Sequence, residues 1–373
     1  MVPVFVAALL LIQERPRFAS VTAGGTHTCA IAVDSAAYCW GSNRYGQLGN
    51  GRRESLPSGL PTIGLESYGT AGSLREASPQ RVLGTISFQT LAAGDRHTCG
   101  LSIDGHAFCW GFGAFGQLGS GHFQDEVRPS PVAGGLRFRM ISAGGTHTCA
   151  VTLDGVPVCW GGNWHGQLGD GTTRNRPEPT PVAGQMEFRA IAAGGIHSCA
   201  VTPAGEAFCW GYAATGRLGT GRLEERDSPI PIQVRTDVKF TAISAWFQSC
   251  AISVEGRAYC WGLQDWAMEA SPPPGALRPE PLLVPDRVTG IDLGSYHVCL
   301  TTSKPELFCF GANTYGQLGS SDSPPGARPI ALLGVLMQAS AGGNDLSGHT
   351  CALLTTGVIY CWGNNRWLQL GQN

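Results

Sequence analysis

Apolar residues along this chain come in short runs, and the runs recur. Around residue 150 they are Phe138–Ile141, His147–Thr152 and Val156–Gly161, with Pro181-Val182 further on. Ala143-Gly144-Gly145, Leu153-Asp154-Gly155 and Gly166-Gln167-Leu168-Gly169 separate them. Short apolar runs bounded by Gly, Asp and Pro read as strands, and helical spacing of the apolar positions is hard to find. The four runs predict a four-stranded antiparallel unit. Residues on both sides of its second and third strands are apolar, so both faces of the unit are expected to be covered.

Cysteines mark the period. The first of each pair stands at 29, 99, 149, 199, 250, 299 and 351, a step of about fifty residues after a first step of 70. Four short strands per fifty-residue unit, seven times over, predict an all-β fold, a seven-bladed β-propeller with four-stranded blades. The long first step holds an insertion at about residues 54–77, rich in Gly and Ser. Asn344-Asp345-Leu346 lengthens a turn in the last repeat.

The fourteen cysteines form seven pairs: Cys29/Cys39, Cys99/Cys109, Cys149/Cys159, Cys199/Cys209, Cys250/Cys260, Cys299/Cys309 and Cys351/Cys361, each ten residues apart. A three-residue hairpin loop is a type I turn followed by a left-handed residue, usually Gly. Placing Leu153-Asp154-Gly155 in that loop sets Thr152 opposite Val156 and Cys149 opposite Cys159. Such a pair is of the non-hydrogen-bonded kind, with Cα atoms about 4.5 Å apart, at the short end of the disulfide range. Each pair is predicted to bridge its own hairpin, for roughly 2–3 kcal/mol apiece. Zinc sites use closer spacings, and a redox motif would be Cys-x-x-Cys. Gly105, Gly205, Gly256 and Gly357 hold the slot of Gly155, whereas Ser35 and Pro305 depart from it, so those two turns are expected to differ. Paired disulfides imply an oxidising compartment, extracellular or in the cell envelope.

An aromatic ring follows the second cysteine of every pair: Trp40, Trp110, Trp160, Trp210, Trp261, Phe310 and Trp362. Side chains alternate between the faces of a strand, so bridge and ring lie on opposite faces and both belong to the core. The stretch AGGTHTCAVTLDGVPVCWGGNWHGQLG resembles the regulator of chromosome condensation repeat. Its WG…GQLG hallmark recurs at Gly46–Gly49, Gly116–Gly119, Gly166–Gly169 and Gly316–Gly319, and in weaker form at 216–219 and 368–371. The likeness covers residues 18–373 and implies a propeller whose first and last blades are zipped together. The paired cysteines mark this chain as a disulfide-stapled, exported variant of that pattern.

Residues 1–17 admit two readings. In the register of Val82/Phe88, Val132/Phe138 and Val182/Phe188, Ile12 holds the slot before Phe18, so Leu10–Gln13 could supply the strand the seventh repeat lacks. Alternatively Val2–Ile12 is the apolar part of an export signal, although no basic residue follows Met1 and no clear cleavage site is present. No run reaches eighteen apolar residues, so no membrane-spanning helix is expected.

Composition narrows the function. The net charge is −2, and only 14% of residues are charged, which argues against nucleic acid as a partner. His27, His97, His147, His197, His297 and His349 stand two before a first cysteine, with Gln248 in the remaining repeat. A seven-fold ring spaces such histidines too widely for one metal, so they are expected to hydrogen-bond between blades. No nucleophile elbow, phosphate loop or catalytic carboxylate pair is found, and Glu224–Asp227 reads as a solvated loop. No enzyme activity, cofactor or metal is expected. Repeat five breaks the pattern: it loses the Ala-Gly-Gly turn, the His and the GQLG motif and carries Trp246, Phe247 and Trp266. Aromatics at loop positions are favoured interface anchors, so these three are the candidate partner-binding residues, although they could equally fill gaps left by the missing glycines. The expected function is a monomeric protein-binding scaffold that uses propeller loops. The alternatives are a secreted enzyme inhibitor, like the β-lactamase inhibitory propellers, or nucleotide exchange on a small GTPase, as the resemblance implies.

Overall fold

The computed structural model describes residues 16–53, 75–222, 226–262, 276–320, 329–344 and 347–371. Each repeat is one antiparallel meander. In blade three the strands are Phe138–Ala143, His147–Thr152, Pro157–Gly161 and Arg176–Pro181, paired in sequence order. The fourth strand thus ends at the proline where it was expected to begin. Its sequence, RPEPTP, explains the displacement. Proline cannot donate to a ladder and is tolerated at a sheet edge, where it also discourages pairing with other chains. Five blades show four strands among the described residues; blades six and seven show three. In blade six, Ile330 N–H still donates to Leu307 O (2.7 Å), the bond that Val182 makes to Pro157 in blade three.

The hairpins are as the cysteine spacing predicts. Cys149 lies opposite Cys159, Thr152 N–H reaches Val156 O, and Gly155 has φ +85°. The same facing pair recurs in every blade, and each is a disulfide within its own hairpin: Cys29–Cys39, Cys99–Cys109, Cys149–Cys159, Cys199–Cys209, Cys250–Cys260, Cys299–Cys309 and Cys351–Cys361. Their Cα atoms are 4.0–4.2 Å apart. That is inside the spacing of about 4.5 Å expected for a non-hydrogen-bonded pair, because the bridge draws the two strands together. No cysteine is left free. The two turns without glycine keep the hairpin frame and differ, as expected, in how they fill it. Ser35 takes the left-handed conformation itself (φ +66°), and Ala32 N–H still bonds to Ala36 O. At Pro305 the outer bond, Thr302 N–H to Glu306 O, is retained; proline has no N–H for the inner one.

The innermost strands surround a central cavity of about 250 Å³. One mouth is tightened by the Ala-Gly-Gly turns: Gly25 N–H donates to Gly94 O, Asp95 N–H to Gly144 O and Gly145 N–H to Gly194 O. A Cβ on Gly24 or Gly94 would lie 2.5 Å from the carbonyl oxygen of the next blade, so close backbone approach requires glycine there. The ring closes by the same kinds of bonds. Gly343 N–H donates to Gly24 O, Phe18 N–H to Gly357 O, and Gln338 exchanges two bonds with the Val21 backbone. The proposed closing strand Leu10–Gln13 lies outside the described residues.

Between blades sits a polar clasp. A histidine Nε2 meets the Thr or Ser hydroxyl of the next blade at 2.8–2.9 Å: His27–Thr98, His97–Thr148, His147–Ser198, His197–Ser249, His297–Thr350 and His349–Thr28. Each hydroxyl donates its one proton to a carbonyl in the GQLG-type loop of the preceding blade (2.7–3.0 Å). It must therefore accept from histidine, which fixes the Nε2–H tautomer. The Trp ring donates to the same carbonyl at 2.9–3.0 Å, as Trp160 does to Gln117 and Trp40 to Gln369. The sulfur bridge sits on the other face of the strand. Burial lowers the histidine pKa values to about 3 at His27, His97, His147 and His349 and about 4 at His297, and well below normal at His197. The six rings stay neutral, each occupied with its own hydroxyl.

Six junctions carry this clasp. The seventh, between blades five and six, lacks all three of its side chains: Gln248 replaces His, Val298 replaces Thr and Phe310 replaces Trp. Apolar packing takes over, with Trp246, Leu282, Val288, Leu293, Val298 and Phe310 in one buried cluster. These losses belong together. A histidine without a hydroxyl opposite, or a hydroxyl without an acceptor, would leave a buried polar group unpaired at about 1–3 kcal/mol.

Candidate functional site

The turn after the innermost strand and the loop after the third strand leave a blade from the same end. One face of the ring therefore gathers the Ala-Gly-Gly turns, the GQLG loops and whatever those loops carry. In sequence, the slot just before the GQLG glycine is repeatedly aromatic: Tyr45, Phe115, His165, Tyr315 and, in the weaker motif, Trp367 precedes Leu368. The glycine turns set these side chains outward, and they meet one another across blade boundaries.

Tyr45 of blade one packs on Phe112 of blade two (centroids 4.8 Å apart), Phe112 on Phe115 (5.2 Å), and Phe115 edge-on to Trp164 of blade three (4.5 Å). His165 packs on Tyr212 of blade four at 4.8 Å. Trp164 lies over Gly162, where a Cβ would meet its ring at 2.9 Å, so the glycine makes room for it. Even so, Trp164 is 47% exposed, with Phe123 (49%) and Tyr315 (46%) on loops at the same end. Guanidinium groups flank the band. Arg44 and Arg96 stand 5.6 and 5.7 Å from the Tyr45 ring, and Arg217 is 4.8 Å from Tyr212. Asp227 holds His165 through Nδ1 at 2.6 Å and also accepts from Ala213 N–H (3.0 Å). Aromatic rings already packed against neighbours offer contact area with little rotamer entropy left to lose on binding, and with Arg they form the usual centre of protein interfaces.

The three aromatics singled out in repeat five fare differently. Trp246 is buried in the apolar cluster at the junction of blades five and six, and its Nε1 finds no hydrogen-bond partner among the described residues. It fills the seam rather than meeting a partner, which corrects the expectation of a surface anchor. Phe247 is partly exposed and packs at a tilt on Tyr296 of blade six (5.3 Å) at the mouth of the channel. Trp266 lies outside the described residues. The sequence pattern did not single out the band across blades one to four, because its members come from different repeats. The signal was the recurrent aromatic in a slot that packing within one blade does not demand.

Inside the channel one titratable group departs from its equivalents. Thr22, Ser142 and Ser340 each accept a backbone N–H from the next blade. Asp292 has this place in blade six: Oδ2 accepts from Ser340 Oγ (2.7 Å) and Ala341 N–H (3.2 Å), and Oδ1 from Leu293 N–H (3.0 Å). Burial raises its pKa to about 6 despite these bonds. Among the described residues no helix is long and apolar enough to cross a membrane.

The profile of the RCC1-like domain matches residues 2–252, and that of the regulator of chromosome condensation (RCC1) repeat matches residues 347–372. The human probable E3 ubiquitin-protein ligase HERC3 is 36% identical over 118 residues, which are 31% of this chain and 9% of that protein. The chain thus spans under a tenth of the length of this relative. Among solved structures, human WBSCR16 superposes with TM-score 0.76 at 19% identity, covering 91% of this chain and 88% of that one. Prp20p of Saccharomyces cerevisiae, described with its binding properties to Gsp1p and histones, gives TM-score 0.70 at 19% identity, covering 95% and 84%. Seven in-phase repeats, a ring of matching geometry and a profile match over most of its length place this chain in the RCC1-like family of β-propellers.

Proposed function

We propose that this protein is a non-enzymatic, protein-binding scaffold of an extracellular or cell-envelope space, and that it meets its partner with the aromatic face of blades one to four. The observation that carries this reading is the band of tilted and edge-on ring contacts from Tyr45 through Phe112 and Phe115 to Trp164, partly exposed along its length and flanked by arginines. The seven disulfides support the oxidising location. Phe247 with Tyr296 would extend the contact toward the channel mouth.

Capture from extracellular material with the full oxidised chain, followed by titration of the recovered partner, tests it. Phe115→Ala with Trp164→Ala should weaken binding at least about tenfold, the effect of losing one strong anchor, while melting shifts little. Equal affinity for both forms would remove the band from the interface. Nucleotide release from a small GTPase, or inhibition of a β-lactamase, abolished by the same changes would replace the scaffold with one of the two alternative readings.

A further inference from the structure

Four outer grooves between consecutive blades have their equivalent positions described, and one is unlike the others. Between blades one and two these positions are Arg52, Leu83 and Arg128; between two and three, His122, Ala133 and Glu178; between three and four, Thr172, Ala183 and Ile230. Between blades four and five they are Arg222, Arg235 and Arg278, which line an open cavity of about 640 Å³ together with Thr220, Thr236 and Asp237. Backbone bonds position them: Gly221 N–H donates across the junction to Leu277 O (2.8 Å), and Arg235 N–H donates to Gly219 O (2.9 Å) within blade four.

Three solvent-exposed guanidinium groups line one cavity, and few carboxylates stand near them within the described structure. Arg278 has Glu280 at 3.6 Å, in an exposed pair of small worth. Arg222 and Arg235 form no ion pair among the described residues, and Asp237 is the one carboxylate of the lining. Glu224 and Glu225 follow Arg222 in sequence, outside the described residues. A guanidinium fork matches a tetrahedral oxyanion with two parallel hydrogen bonds. A cavity of this volume lies in the range of small-molecule pockets and exceeds what a bare ion fills. Thr236 Oγ1 accepts from Val238 N–H (3.1 Å) and keeps its own proton to offer a hydroxylated body behind the charge.

We propose that the groove between blades four and five binds a sulfate- or phosphate-ester sugar of about disaccharide size. Calorimetry on the full oxidised chain tests this with a sulfated disaccharide, its desulfated counterpart, a sugar phosphate and inorganic sulfate. An ester should bind, more weakly as salt rises, and the tighter of the two esters identifies the source. Arg235→Gln with Arg278→Gln should lower affinity at least about tenfold, the loss of one charge-assisted bond or more. Arg174→Gln, on an exposed loop of blade three, should leave affinity unchanged. Glu224→Gln with Glu225→Gln should keep or raise it. Any of four results would overturn the assignment: equal binding of the desulfated sugar, inorganic sulfate binding as tightly as the esters, an unaffected double arginine variant, or no binding of any probe.

Discussion

Thr148→Val tests the clasp between blades two and three. The Thr148 hydroxyl is fully buried, 2.9 Å from His97 Nε2 and 2.8 Å from Gln117 O. Valine has nearly the same shape, so the packing term is small and the polar term remains. Gln117 O keeps its bond from Trp160 Nε1 at 2.9 Å, so little is lost there. His97 Nε2–H, however, is stranded in the core, at about 1–3 kcal/mol for an unsatisfied buried donor. Guanidinium unfolding with the disulfides intact, followed by tryptophan fluorescence, should show a lower midpoint at an unchanged slope. The reciprocal change has the same sign for the opposite reason. Val298→Thr buries a hydroxyl at the one junction where the preceding blade offers Gln248 in place of histidine, and it should also destabilise. If Thr148→Val stays within about 0.5 kcal/mol of the wild type, or Val298→Thr stabilises, the coordinated loss at blades five and six is not an adaptation of hydrogen bonding.

Three further outcomes follow from the same geometry. Burial depresses the folded pKa values of the six clasp histidines, to about 3 at His27, His97, His147 and His349 and about 4 at His297, so their contribution is present above the unfolded value near 6.5 and is lost as pH falls toward the folded values. Midpoints measured from pH 7 to 4 should drop steeply; a flat profile to pH 5 would contradict the buried neutral rings. Asp292 runs the other way: its pKa is raised to about 6, so its contribution is full below about pH 4 and is lost as pH rises through 6. Asp292→Asn should be more stable than wild type at pH 8, by at most about 3 kcal/mol, with the gain absent at pH 3; a less stable variant at pH 8 would show that the carboxylate charge is fully compensated. Gly94→Ala places a methyl 2.5 Å from Gly144 O and should cost about 1–3 kcal/mol by prising apart the channel mouth, measured as a drop in midpoint; wild-type stability would mean the rim has slack.

The period of the cysteines and the alternation of apolar runs were enough to specify seven hairpins, their register and the ring they build. Each of those features repeats, and a local rule, two residues per strand repeat and three per hairpin loop, acts identically in every copy. Even the paired exceptions Gln248, Val298 and Phe310 stand in the sequence. What joins them is a junction between residues fifty or more positions apart, so only the tertiary structure shows that they face one another. The same holds for the surface. Trp246 looked like an anchor because it replaced a turn glycine, yet its ring is drawn into the seam by neighbours from the next blade. Tyr45, Phe112, Phe115 and Trp164 belong to three different repeats, and the packing of neighbouring blades joins them into one band. Contacts within a repeat are governed by short-range geometry that a sequence spells out directly. Contacts between repeats depend on which side chains the closed ring brings together, and that is where this protein departs from its own symmetry.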